Sequence, residues 1–215
     1  MVALVGSIAS KSLSFSKAMD YTVRGMYLMV LPNAILLNAW SIKSAADAVG
    51  TADFVVYHAV AAGVPVLLVP LAIFLSSMVI SFTTGTSWGT FGLMMPLAVP
   101  MAWRLAVLQY PDNIGMAYLA TAATIGAVFG GGIFGDHCSP ISDTTIMSSM
   151  FSSADHIDHV NTQLPYAVPA AAVSIVLYAL FAAGVTSPLI LLPIGVVLLV
   201  VLHYALSTVY AKMVA

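Results

Sequence analysis

The 215-residue chain has no glutamate, one cysteine and few charges of either sign. Charged residues make up 7% of it, against roughly 25% in a soluble domain. A soluble globular surface cannot be built from so few. The formal net charge is only −2 and no basic stripe is present, so no nucleic-acid partner is expected. The single thiol, Cys138, excludes an internal disulfide. Without glutamate, any carboxylate chemistry must come from the eight aspartates. The short alternating segments of a membrane β-barrel are absent as well. So is the layout of a cleavable signal peptide, since Lys11 and Lys17 follow the apolar residues 1–10 instead of preceding them. That run reads as the end of an earlier hydrophobic segment, as in a piece of a longer protein.

What is present is apolar. Hydrophobic residues reach 61% and mean hydropathy is +1.04. These values predict an all-α polytopic membrane protein, a single membrane domain over residues 1–215 with the lipid bilayer as its first partner. Residues 11–24 read as a loop, and their three cations place it in the cytoplasm by the positive-inside rule. Residues 25–42 read as the first span, with Pro32, Asn33 and Asn38 at membrane depth. The asparagines suit hydrogen bonds between helices. Residues 43–57 form a short external segment, and His58 an interfacial residue.

Two apolar arms follow, 63–83 and 91–106, around Thr84, Thr86, Ser87, Trp88 and Thr90. A bilayer core needs about 20 helical residues, so the arms are either two spans or a re-entrant hairpin. Both options return the chain to the same side. Residues 104–115 then form an external loop. Residues 116–129 read as a half-length helix interrupted within 130–142, and a second half-helix, N-capped by Ser139 with Pro140 in its first turn, runs through Asp143 to about Phe151. Residues 152–163 read as a polar cytoplasmic loop, including Asp155, His156, Asp158 and His159. Two ordinary spans, 164–183 and 189–209, complete the count, with Lys212 in the cytoplasm.

The stretch 130–149, GGGIFGDHCSPISDTTIMSS, is the chemical centre of the sequence. Carboxylates inside apolar sequence are costly and mark functional sites. Asp136 and Asp143 supply charge. Ser139, Ser142, Thr144 and Thr145 supply hydroxyls, and Thr84, Thr86, Ser87 and Thr90 add more from the other interrupted segment. An all-oxygen set suits a hard cation such as Na⁺, with Asp136 and Asp143 as its charged ligands. A carboxylate at this depth avoids an unpaired charge by binding Na⁺ or a proton, so the two compete for one group. Asp136 is the first candidate for that group and Asp143 the second, with capping of its own half-helix as the alternative for Asp143. His137 is a candidate pH sensor, because histidine changes charge near neutrality. Asp136, His137 and Cys138 also raise a zinc reading, but three adjacent residues do not converge on one ion. No other cofactor is expected; Na⁺ and H⁺ are cargo.

Residues 82–90 (FTTGTSWGT) and 134–145 (FGDHCSPISDTT) resemble the two signature stretches of the NhaC-type Na⁺/H⁺ antiporter family. Residues 155–160 with 162–166 resemble the loop that follows them in that family. The resemblance implies a multi-pass protein of a prokaryotic cell membrane that exchanges Na⁺ for H⁺ and is not an enzyme. It implies an ion-transporter fold with inverted repeats, re-entrant hairpins and broken helices, of which this chain is one repeat. Some relatives exchange malate and lactate with cations, which keeps an organic-acid exchanger as the alternative. Members are about twice this length. The chain therefore corresponds to the C-terminal half, and a missing N-terminal half or a second copy is an expected partner.

Overall fold

The computed structural model describes residues 2–28, 30, 37, 41, 44–45 and 48–214. Among them every regular element is helical. The first span expected at 25–42, with Asn33 and Asn38, lies largely outside the described residues.

Helix α1 is Val2–Ala9 and α2 is Phe15–Leu28, so helix replaces most of the loop expected at 11–24. The Arg24–Asp20 ion pair, at 3.0 Å and one turn apart, supports α2 as an exposed helical pair. Helix α3, Thr51–Ala61, covers the end of the segment expected to be external, and a 3₁₀ turn, Val66–Leu68, leads into α4, Val69–Thr84. Pro70 sits in the first turn of α4, where its missing N–H is harmless. Then come α5, Ser87–Gln109, and α6, Ile114–Cys138. The short α7, Asp143–Phe151, is followed by α8, His156–Ala182, and α9, Pro188–Val214.

Five helical stretches among the described residues are long and apolar enough to cross a membrane: Val66–Thr84, Ser87–Gln109, Ile114–Cys138, His156–Ala182 and Pro188–Thr208. Both arms of the expected hairpin thus have the length of a crossing. They meet at Gly85, whose φ of 67° provides a left-handed stop for α4. The prolines inside α5, α8 and α9 do not end those helices.

The tightest packing joins α4 to α6. Ala117, Ala120, Thr124, Ala127, Gly131 and Gly135 recur every three or four residues along α6 and are all buried. They form one narrow face of small side chains. A methyl built on Gly131 would come within 2.5 Å of the Phe74 carbonyl oxygen, and one on Gly135 would overlap the backbone of Ser81 and Phe82. Between membrane helices little is gained by hiding apolar surface from lipid, so close backbone approach and van der Waals contact hold the pair. Ser81 Oγ donates across the seam to the Gly132 carbonyl. The glycines expected to break this helix are its packing surface, so α6 runs unbroken to Cys138 and the break shrinks to 139–142.

At the far end of the bundle, Gln109 holds the start of α4. Its Nε2 donates to Val64 O at 2.7 Å and its Oε1 accepts from Val66 N at 2.9 Å. Gln109→Ala leaves a helix-entry amide unpaired. It should lower stability by about 1–2 kcal/mol, measurable as a drop in thermal midpoint of the detergent-solubilised protein.

Candidate functional site

Three helix ends meet at Asp136. The α4–α5 turn brings Ser87, the last turn of α6 brings Asp136, and the 139–142 break delivers Ser142 and the start of α7. Gly85 and Ile141 seal the junction: a Cβ at Gly85 would sit 2.6 Å from the Ile141 carbonyl oxygen. Glycine is required there by both its positive φ and this contact. Ser139 Oγ ties the break to α4 by donating to Phe82 O at 2.8 Å.

The half-buried Asp136 carboxylate accepts three hydroxyl hydrogen bonds. Ser87 Oγ donates to Oδ2 at 3.0 Å. Ser142 Oγ donates to Oδ1 at 2.7 Å, and Thr144 Oγ1 to the same oxygen at 3.1 Å. Behind them Thr145 Oγ1 donates to the Asp136 carbonyl at 3.0 Å, satisfying an acceptor that the end of α6 leaves open. Ser142 also N-caps α7, accepting from Thr145 N at 3.4 Å. The carboxylate therefore faces the positive ends of α5 and α7, which offset its poor placement in the last turn of α6. Each hydroxyl that donates to it keeps lone pairs for another partner. Asp136, Ser87, Ser142 and Thr144 thus form a compact oxygen cluster around one formal charge.

The other sequence candidates separate from this cluster. Asp143 is exposed and accepts from Thr144 N at 2.9 Å, at the N-terminus of α7. Its capping role fits the geometry, and its carboxylate does not join Asp136. Thr84 is exposed and donates to Ile80 O of its own helix at 2.7 Å. Thr86 N-caps α5, accepting from Gly89 N at 3.4 Å. Thr90 is buried one turn along and donates to Thr86 O at 2.9 Å. Ser139, expected to cap the helix after the break, instead follows the end of α6, because α7 begins three residues later than Pro140 would start it. His137 is exposed. Consecutive residues on a helix diverge by about 100°, and Cys138 Sγ turns away to Phe134 O at 3.0 Å. Among the described residues no three His, Cys or Asp side chains gather to hold a metal ion.

Trp88 is 57% exposed and meets Phe91 edge to face, with ring centroids 6.3 Å apart. Two contributions escaped the sequence reading. Residues 152–163 form no polar loop, since α8 begins at His156 with Asp155 as its N-cap. Asp155 Oδ1 accepts from Ile157 N at 2.9 Å and Asp158 N at 3.1 Å. An aspartate just before an apolar-periodic run is the signal that marks such a start. The second is the small-residue face of α6, visible as glycine, alanine or threonine at every third or fourth position.

Five helices of membrane length among the described residues fit a multi-pass membrane protein. The family is narrower: a model of the Na⁺/H⁺ antiporter family matches residues 1–183, and the chain belongs to that family. A Haemophilus influenzae protein of uncharacterized function is 41% identical over 138 residues, 64% of this chain and 24% of that protein. A second protein of that organism, named as an uncharacterized Na⁺/H⁺ antiporter, is 33% identical over 61% of this chain and 25% of its own length. The malate-2H⁺/Na⁺-lactate antiporter of Bacillus subtilis is 32% identical over 50% of this chain and 20% of its own. The match spans about a quarter or less of these relatives' length. No solved structure matches the chain.

Proposed function

We propose that this chain carries the ion-binding part of a secondary transporter that exchanges Na⁺ for H⁺ across a prokaryotic cell membrane. Asp136 is the group both ions use. Ser87, Ser142 and Thr144 line the cation, and no enzymatic step is needed. The observation that carries this reading is the partner set of Asp136: each hydrogen bond to its carboxylate comes from a neutral hydroxyl. The negative charge is solvated by groups that can also coordinate a cation. The broken-helix description is kept in reduced form, as the four-residue interruption between α6 and α7.

In this reading the ends of the chain are cytoplasmic, following Lys11, Lys17, Arg24 and Lys212. The chain supplies one repeat of an inverted-repeat fold. Further sequence or a second copy supplies the rest of the transport path, in keeping with the greater length of the relatives. The Bacillus subtilis relative's name supports a second reading, Na⁺-coupled exchange of an organic acid. Against it, the α7 N-terminus that would hold a substrate carboxylate already faces Asp136. Na⁺-driven lactate uptake would decide for the second reading.

The test is proton flux driven by an imposed Na⁺ gradient in vesicles. A proton occupying Asp136 excludes Na⁺, so the half-saturating Na⁺ concentration should rise as pH falls. With one proton per site the limit is about tenfold per pH unit. Na⁺ dependence that ignores pH ends the shared-group model, and absence of Na⁺-dependent proton movement ends the antiport reading.

A further inference from the structure

The geometry points to His156 as a positioning residue for the Asp136 site, holding the 139–142 break from α8. This rests on the ion-site reading above for its functional consequence, though not for its structural one. His156 is half-buried at the first position of α8. Its Nε2 lies 2.7 Å from the Pro140 carbonyl oxygen, and its Nδ1 lies 3.1 Å from Ser149 Oγ on α7. A carbonyl only accepts, so Nε2 carries the proton of that bond and donates. Pro140 lies outside both α6 and α7, so its carbonyl is beyond the reach of either helix's regular amide ladder. The imidazole supplies that carbonyl with a donor.

The break is therefore held at three points. Ser139 binds Phe82 O on one side, Ser142 binds Asp136 on another, and His156 takes the carbonyl between them. One residue, Ile141, separates Pro140 from Ser142. A shift of the Pro140 peptide moves the Ser142 hydroxyl off Oδ1 and, with it, Thr144, which lies 2.9 Å from Ser142 Oγ. His156 touches neither the carboxylate nor the hydroxyls around it. It acts through the backbone, as groups outside a coordination shell do when they fix the ligands inside it.

The experiment uses the full chain in membranes with His156→Ala and His156→Gln. Glutamine keeps an N–H that reaches Pro140 O; alanine does not. The flux readout is half-saturating Na⁺ against maximal rate. His156→Ala should raise the former about tenfold, in line with outer-shell changes at ion sites, and leave the latter largely unchanged. His156→Gln should restore the original value. A second readout is independent of ions. Cys138, fully buried at the root of the break, is the chain's single thiol. N-ethylmaleimide should label it several-fold faster in the alanine variant and at the original rate in the glutamine variant. Faster labelling reversed by glutamine, without Na⁺-dependent flux even in the unsubstituted chain, supports the clamp and refutes the antiport reading. Unchanged labelling and Na⁺ dependence in His156→Ala overturns the clamp, as does equal impairment of both variants.

Discussion

Asp136→Asn should remove Na⁺-dependent proton flux, while Asp143→Asn should leave most of it. Asparagine keeps the shape of the side chain and can still accept from Ser87 or Ser142. It loses the formal charge and the proton site together. In the proposed exchange both ions use that group, so the loss should be at least about 100-fold, equivalent to about 2.7 kcal/mol. Asp143 is exposed and bonded to its own helix start. Its charge is worth about 0.3–1 kcal/mol at a helix N-terminus, and its removal should cost less than about fivefold in rate. Flux in reconstituted vesicles, compared at equal protein incorporation, separates the two. Full flux from Asp136→Asn would refute the site.

Gly135→Ala should be severely damaging. The added carbon meets the Ser81 and Phe82 backbone, with the Ser81 Cβ 2.6 Å away. Backbone packed directly against backbone cannot swing aside as a side-chain tip can. Overpacking a core typically costs about 1–3 kcal/mol, and this contact belongs at or above the top of that range. Gly126→Ala in the same helix is the control. Its methyl would meet Tyr178 Oη at 3.6 Å, an ordinary contact. Alanine also favours helix over glycine by up to about 1 kcal/mol, so Gly126→Ala should be neutral or mildly stabilising. Thermal midpoints in detergent test both. A Gly135→Ala protein as stable as its Gly126→Ala counterpart would contradict the seam.

The helical character and the later crossings follow from composition, because apolar runs of membrane length leave few alternatives. The pairing of Ser87 with Asp136 was also legible, since two polar interruptions in one apolar chain have reason to meet. The position of the break was not. Three consecutive glycines look like a helix stop under the rules of water, where glycine exposes backbone and costs entropy. Inside this bundle Gly131 and Gly135 are where α4 touches, and continuity of α6 depends on a neighbour 50 residues away. Hydroxyl counting misled for a related reason. Thr84 bonds a carbonyl one turn back in its own helix, as do Ser76 and Thr83, so a threonine near a site need not serve it. His156 was hidden in a hydrophilic stretch because its partner is a single backbone carbonyl, which has no signature of its own.

The seam also decides what can move. Joined backbone to backbone, α4 and α6 cannot slide or rotate past each other without opening gaps along the whole glycine face, so they behave as one beam with Asp136 fixed near its tip. The hydroxyls are attached differently: Ser87 opens α5 beyond the Gly85 turn, and Ser142 and Thr144 lie on or just past the four-residue break. In the proposed transport cycle the charge stays in place and its solvation comes and goes. The exchange proposed for this site would then be a change of partners around a stationary carboxylate, with the two turns as the parts that open.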